Sequence, residues 1–64
     1  MSALKRWMRA EGLTATQVAE LVGVHKSAVS RWLSGERRPS LILAVRIAVA
    51  TDYAVTPEDW TDEN

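Results

Sequence analysis

The sequence predicts an all-α fold of five short helices in a single domain over residues 1–64. Apolar side chains recur at helical spacing: Leu4 and Met8 are four apart, as are Val18 and Val22, and Leu41, Ala44, Val45 and Ala48 fall at i, i+3, i+4 and i+7. Three glycines and two prolines divide the chain into five segments, each with a helix start. No alternating apolar run with turn chemistry, the mark of a hairpin, interrupts this pattern.

Taken in order, Ser2 caps a first helix that runs to Ala10 or Glu11. Thr14-Ala15-Thr16-Gln17 has the capping-box pattern and opens the second helix, which ends before Gly23. The third covers Lys26 to Leu33 and stops at Gly35. The fourth starts near Ser40, after Pro39, and continues to Thr51. Leu43, Ile47 and Ala50 give this helix a second apolar stripe, which places it at the centre of the core or at an interface. Thr56-Pro57-Glu58-Asp59 opens a short fifth helix with a cap, a proline at the first helical position and acids in the first turn.

Size limits what such a chain can do. A domain of this length buries only about 60% of the surface its unfolded chain exposes. With no cysteine and one histidine it lacks the ligands of a thiolate zinc site, so neither metal nor cofactor is expected. It carries neither a phosphate-cradling glycine loop nor a serine, histidine and carboxylate set, which argues against an enzyme. The longest apolar run, Leu41 to Val45, is far short of the ~18 residues that cross a bilayer. The first residues lack the apolar stretch of a signal peptide, so a cytoplasmic location without membrane contact is expected.

Eight basic and eight acidic side chains give zero formal net charge. That zero is an average. Residues 1–46 hold all eight bases with three acids, a net of +5, while residues 47–64 hold five acids and no base, a net of −5. Such asymmetry points to nucleic-acid contact or a charged tail, here the acidic end over 58–64.

The stretch over residues 15–34 carries the most information. Two short helices meeting at a steep angle need a small residue where they face each other, and Ala19 supplies it. They need a residue tolerant of positive φ in the turn, and Gly23 supplies it. Val18, Val22, Val24, Val29 and Trp32 are spaced to fill the wedge between them. On these seven positions the sequence resembles the helix-turn-helix domains of the phage repressor and Cro type, also called lambda-repressor-like or XRE-type. It is most similar to short prophage-type regulators. The run from Gly23 to Gly35 looks like the family's turn and recognition helix, and Pro39-Ser40-Leu41 like its entry into the fourth helix. Two positions depart from the pattern. His25 stands where serine or threonine commonly caps the recognition helix. Ala15 and Thr16, followed by Gln17, stand where many members carry a phosphate-touching glutamine.

At about 100° per residue, Lys26, Ser30, Ser27 and Arg31 share an arc of roughly 140° on the third helix, opposite Val29, Trp32 and Ala28. The resemblance implies that this helix enters the major groove of double-stranded DNA and that Lys26, Ser27, Ser30 and Arg31 reach base edges. It places Thr14, Thr16, Gln17, His25, Ser34, Arg37 and Arg38 against phosphates. The implied function is a sequence-specific transcriptional regulator, a Cro-like repressor reading a pseudo-palindromic operator as a weak homodimer or a dimer on DNA, without a small-molecule ligand. Tyr53, Val55 and Trp60 are the candidate self-association surface, with Trp60 also expected to fold back on the core. The alternative is a protein-interaction module or antitoxin-like component on the same fold, served by the exposed Leu21 and Leu33 and the apolar fourth helix.

Overall fold

Short-range caps and breakers decide where each helix begins and ends. The computed structural model describes residues 2–61. Among these residues the chain forms four α-helices and a closing 3-10 turn, with no strand. The helices are α1 (Ala3–Glu11), α2 (Ala15–Val22), α3 (Lys26–Ser34) and α4 (Leu41–Ala50). Ser2, Thr14 and Ser40 each accept a hydrogen bond from the backbone N–H three residues on, at 3.2, 3.2 and 3.3 Å. Each cap satisfies one of the donors a helix N-terminus otherwise leaves unpaired. Thr14 also donates its own N–H to Gln17 Oε1 at 2.8 Å, completing the capping box expected there.

The expected fifth helix is instead a single 3-10 turn, Pro57–Trp60. Thr56 donates its N–H to Asp59 Oδ2 at 2.8 Å, which starts the turn as expected. Thr61 then ends it, because both its N–H and its hydroxyl donate to the Glu58 carbonyl, at 3.1 and 2.9 Å. That carbonyl is three residues back, the spacing of a 3-10 turn. Of the acidic end expected over 58–64, Asp62, Glu63 and Asn64 lie outside the described residues.

The core is one cluster drawn from all four α-helices and the segment after them: Leu4 and Met8 from α1, Val18, Ala19 and Val22 from α2, Val29 and Trp32 from α3, Ile47 from α4, and Val55. Fully burying an aliphatic side chain of this size stabilises the fold by about 1.5–3 kcal/mol. α2 packs on both α3 and α4, and α4 also packs on the closing turn. The molecule measures 27 × 21 × 21 Å.

α4 corrects the stripe assigned from spacing. Ala44, Ile47 and Ala48 face the core, while Leu41 and Val45 lie outside. Both faces of α4 are apolar, so periodicity alone does not choose between them. The face that packs inward is the one centred on Ala44, Ile47 and Ala48. Val55 is also corrected: it is 0% exposed and belongs to the core, not to a self-association surface. The buried hydroxyl of Thr51 explains how the chain turns in to bring it there. It donates to the Ile47 carbonyl at 2.8 Å and accepts the Val55 N–H at 3.1 Å. Between them Asp52 and Tyr53 both adopt positive φ, 56° and 66°, a conformation costing L-residues about 1–2 kcal/mol each.

Candidate nucleic-acid interface

The α2–α3 turn sets the site. Gly23 has φ 84°, where a side chain would be strained, and the N–H groups of Gly23 and Val24 both return to the Ala19 carbonyl, at 2.8 and 3.0 Å. Ala19 itself is buried between the helices. The chain thereby leaves α2 and starts α3 within three residues, and α3 is locked by Val29 and Trp32 in the core. Trp60 packs against Trp32 with ring centroids 6.2 Å apart, so the closing turn buttresses the back of α3.

That arrangement leaves the opposite side of α3 facing out. Lys26, Ser27, Ser30 and Arg31 are all exposed, Ala28 and Leu33 are half-buried, and Val29 and Trp32 are buried. The site therefore offers two cations and two hydroxyls on one helical face, with no acid among them. Arg37 is exposed in the following loop, and its N–H donates to the Arg31 carbonyl at 3.2 Å, which folds the loop back onto the last turn of α3.

His25 caps α3, the role its position implies. Its Nδ1 accepts the Ser27 N–H at 3.1 Å and lies 3.0 Å from Ser27 Oγ. Thr14, Thr16 and Gln17 are exposed at the start of α2, about 12 Å along the helix from the turn. Gln17 Oε1 accepts the Thr14 N–H, and its amide N–H groups remain as donors for another group.

Two further residues expected at phosphates also have partners inside the chain. Ser34 donates its hydroxyl to the Arg31 carbonyl at 3.1 Å and accepts the Glu36 N–H at 3.2 Å. A hydroxyl whose only proton is spent this way has none to offer a phosphate. Ser34 is therefore a helix-end knot. Arg38 donates from Nη1 to the Trp60 carbonyl at 3.2 Å, tying the loop to the closing turn. Its other N–H groups remain as donors.

Arg46, on α4, was not among the expected site residues. A methyl group built on Gly23 would lie 3.8 Å from Arg46 Nη1, so its guanidinium stands over the α2–α3 turn. Nothing in the sequence spacing signals this proximity, because it depends on how α4 crosses α2. Among the described residues no group of three His, Cys, Asp or Glu could hold a metal, and no helix is long and apolar enough to cross a membrane.

The Helix-turn-helix family model matches residues 4–57. No significant match is found among curated proteins or among solved structures. The match takes in α1 to α4, the glycine turn and the outward face of α3, and the chain belongs to the XRE-type helix-turn-helix family of lambda repressor and Cro, a family of DNA-binding transcription regulators.

Proposed function

We propose that this chain is a Cro-like repressor that reads a pseudo-palindromic operator through α3. The observation that carries this reading is the outward face of Lys26, Ser27, Ser30 and Arg31 on a helix whose other face is fixed in the core. An α-helix fits the major groove, where each base pair presents its own donor and acceptor pattern. Lys26 and Arg31 donate to guanine O6 and N7, and each good bidentate contact gives about 1–3 kcal/mol of discrimination. Thr14, Thr16, Gln17, His25 and Arg37 meet phosphates, with the remaining donors of Arg38 beside them. Repression follows by occupying a promoter.

Two copies bind, with their α3 helices one helical turn apart, about 34 Å. The second copy docks on the outer face of α4, where Leu41, Ile42, Val45 and Val49 are exposed, together with Tyr53 just beyond it. Two features support a second copy as the occupant. The stripe of Leu41, Ile42, Val45 and Val49 is apolar throughout, so it can meet itself about a two-fold axis. α3 packs chiefly on α2, so joining two molecules through the outer face of α4 leaves both α3 helices away from the seam. That suits a spacing longer than the 27 Å molecule. A protein partner, as in an antitoxin-like component, is the other occupant this face would fit.

A salt titration on random-sequence duplex tests the DNA reading. Affinity should fall with a log–log slope of about −0.9 per phosphate neutralised. No measurable binding at low salt would sink it. Sedimentation with and without operator then separates the two occupants: one chain per operator would assign the α4 face to another protein.

A further inference from the structure

A backbone amide always carries its proton, so the Ser27 N–H that lies 3.1 Å from His25 Nδ1 is the donor of that bond. Nδ1 must then present a lone pair. A neutral imidazole with a bare Nδ1 holds its proton on Nε2. The capping bond thus fixes the tautomer of the chain's one histidine. Ser27 Oγ lies 3.0 Å from the same Nδ1. Against a nitrogen without a proton only the hydroxyl can donate, and it shares the single Nδ1 lone pair with the Ser27 N–H, which biases the Ser27 O–H inward toward His25. What the exposed Ser27 oxygen offers outward is its lone pairs.

Serine at a base edge is normally ambivalent, because its hydroxyl rotates to donate or to accept. We infer that His25 tips this balance and makes Ser27 chiefly an acceptor at the operator. In the major groove the donors are adenine N6 and cytosine N4, whereas thymine O4 and guanine O6 and N7 accept. On the strand that Ser27 faces, the chain therefore selects adenine or cytosine over thymine or guanine. His25 acts here as a positioning residue: it sets the polarity of a neighbour that touches the base. The inference rests on the proposed operator reading, but its first half does not.

Two measurements keep these halves apart. Nitrogen-15 NMR of the neutral imidazole reads the tautomer without DNA. A proton on Nε2 is expected, and a proton on Nδ1 overturns the inference whatever the chain binds. Selection of duplexes from a randomised pool then reads the base preference. The unaltered chain should enrich adenine or cytosine at one position per half-site, and Ser27→Ala should spread that position over all four bases while leaving the others unchanged. His25→Ser keeps a capping hydroxyl but frees Ser27 to rotate, and should raise guanine and thymine several-fold at that position alone. His25→Asn, whose Oδ1 takes the place of Nδ1, should keep the preference, and it decides the matter if His25→Ser fails to fold. Guanine or thymine at the position that Ser27→Ala relaxes would overturn the inference, as would a Ser27→Ala profile identical to the unaltered chain. A pool that the unaltered chain does not enrich at all overturns the operator reading itself.

Discussion

Arg31 and Arg37 carry the same charge but sit differently, and their substitution should separate two kinds of contact. Arg31 lies on the α3 face with Lys26 and Ser30, whereas Arg37 lies in the loop that folds back onto the end of α3. Arg31→Ala should weaken operator binding by about 1–3 kcal/mol and leave random-duplex binding nearly unchanged. Arg37→Ala should weaken both together and make the salt slope shallower by about 0.9. Identical behaviour of the two variants in gel-shift titrations over a range of salt would show that base and phosphate contacts are wrongly divided. Ser34→Ala belongs to neither class. Its hydroxyl joins the Arg31 carbonyl to the Glu36 N–H, so its loss should lower the melting temperature without moving the salt slope. The residue types in this region were readable as polar and basic from the sequence. Which of their donors are already spent was not, because that depends on loop geometry beyond any spacing rule.

α3 holds its face outward only because Gly23 turns the chain and Trp32 anchors the back. Trp32→Ala should unfold the domain, since truncating a buried Trp costs about 3–5 kcal/mol and a core this small supplies little more. Gly23→Ala should cost about 1–2 kcal/mol in denaturant titration through its positive φ alone, because the nearest atom to an added methyl is already at van der Waals distance. Six of the eight helix ends followed from caps and breakers: Ser2, Thr14 and Ser40 at the starts of α1, α2 and α4, and Gly12, Gly23 and Gly35 beyond the ends of α1, α2 and α3. These are local signals, satisfied within three or four residues, and they survive folding intact. The exceptions are long-range. The orientation of α4 turned on which of its apolar faces packs inward. The inward course of Val55 turned on the Thr51 hydroxyl and two residues at positive φ. The closing segment became 3-10 because Thr61 captures the Glu58 carbonyl.

Charge and assembly belong to the molecule as a whole. The +5 body and −5 end suggest that the acidic end moderates non-specific binding. A cut before Asp59 would also remove Trp60 and with it the packing on Trp32 and the bond from Arg38. A cut after Thr61 spares both, removes Asp62 and Glu63, and should tighten random-duplex binding; unchanged affinity would show that these two acids do not moderate it. For assembly, Val45→Asp should leave the isolated chain folded, because Val45 is exposed, yet lower operator affinity by breaking the contact between copies. Tyr53→Gly should do the same while holding or raising the melting temperature, since glycine relieves the positive φ at that site. The central claim is that α3 reads sequence in paired half-sites. Selection of bound duplexes from a fully randomised pool tests it most directly. It should return a short pseudo-palindrome with half-site centres about 10 base pairs apart. A pool that emerges unenriched, from a chain that still binds duplex at low salt, would contradict it.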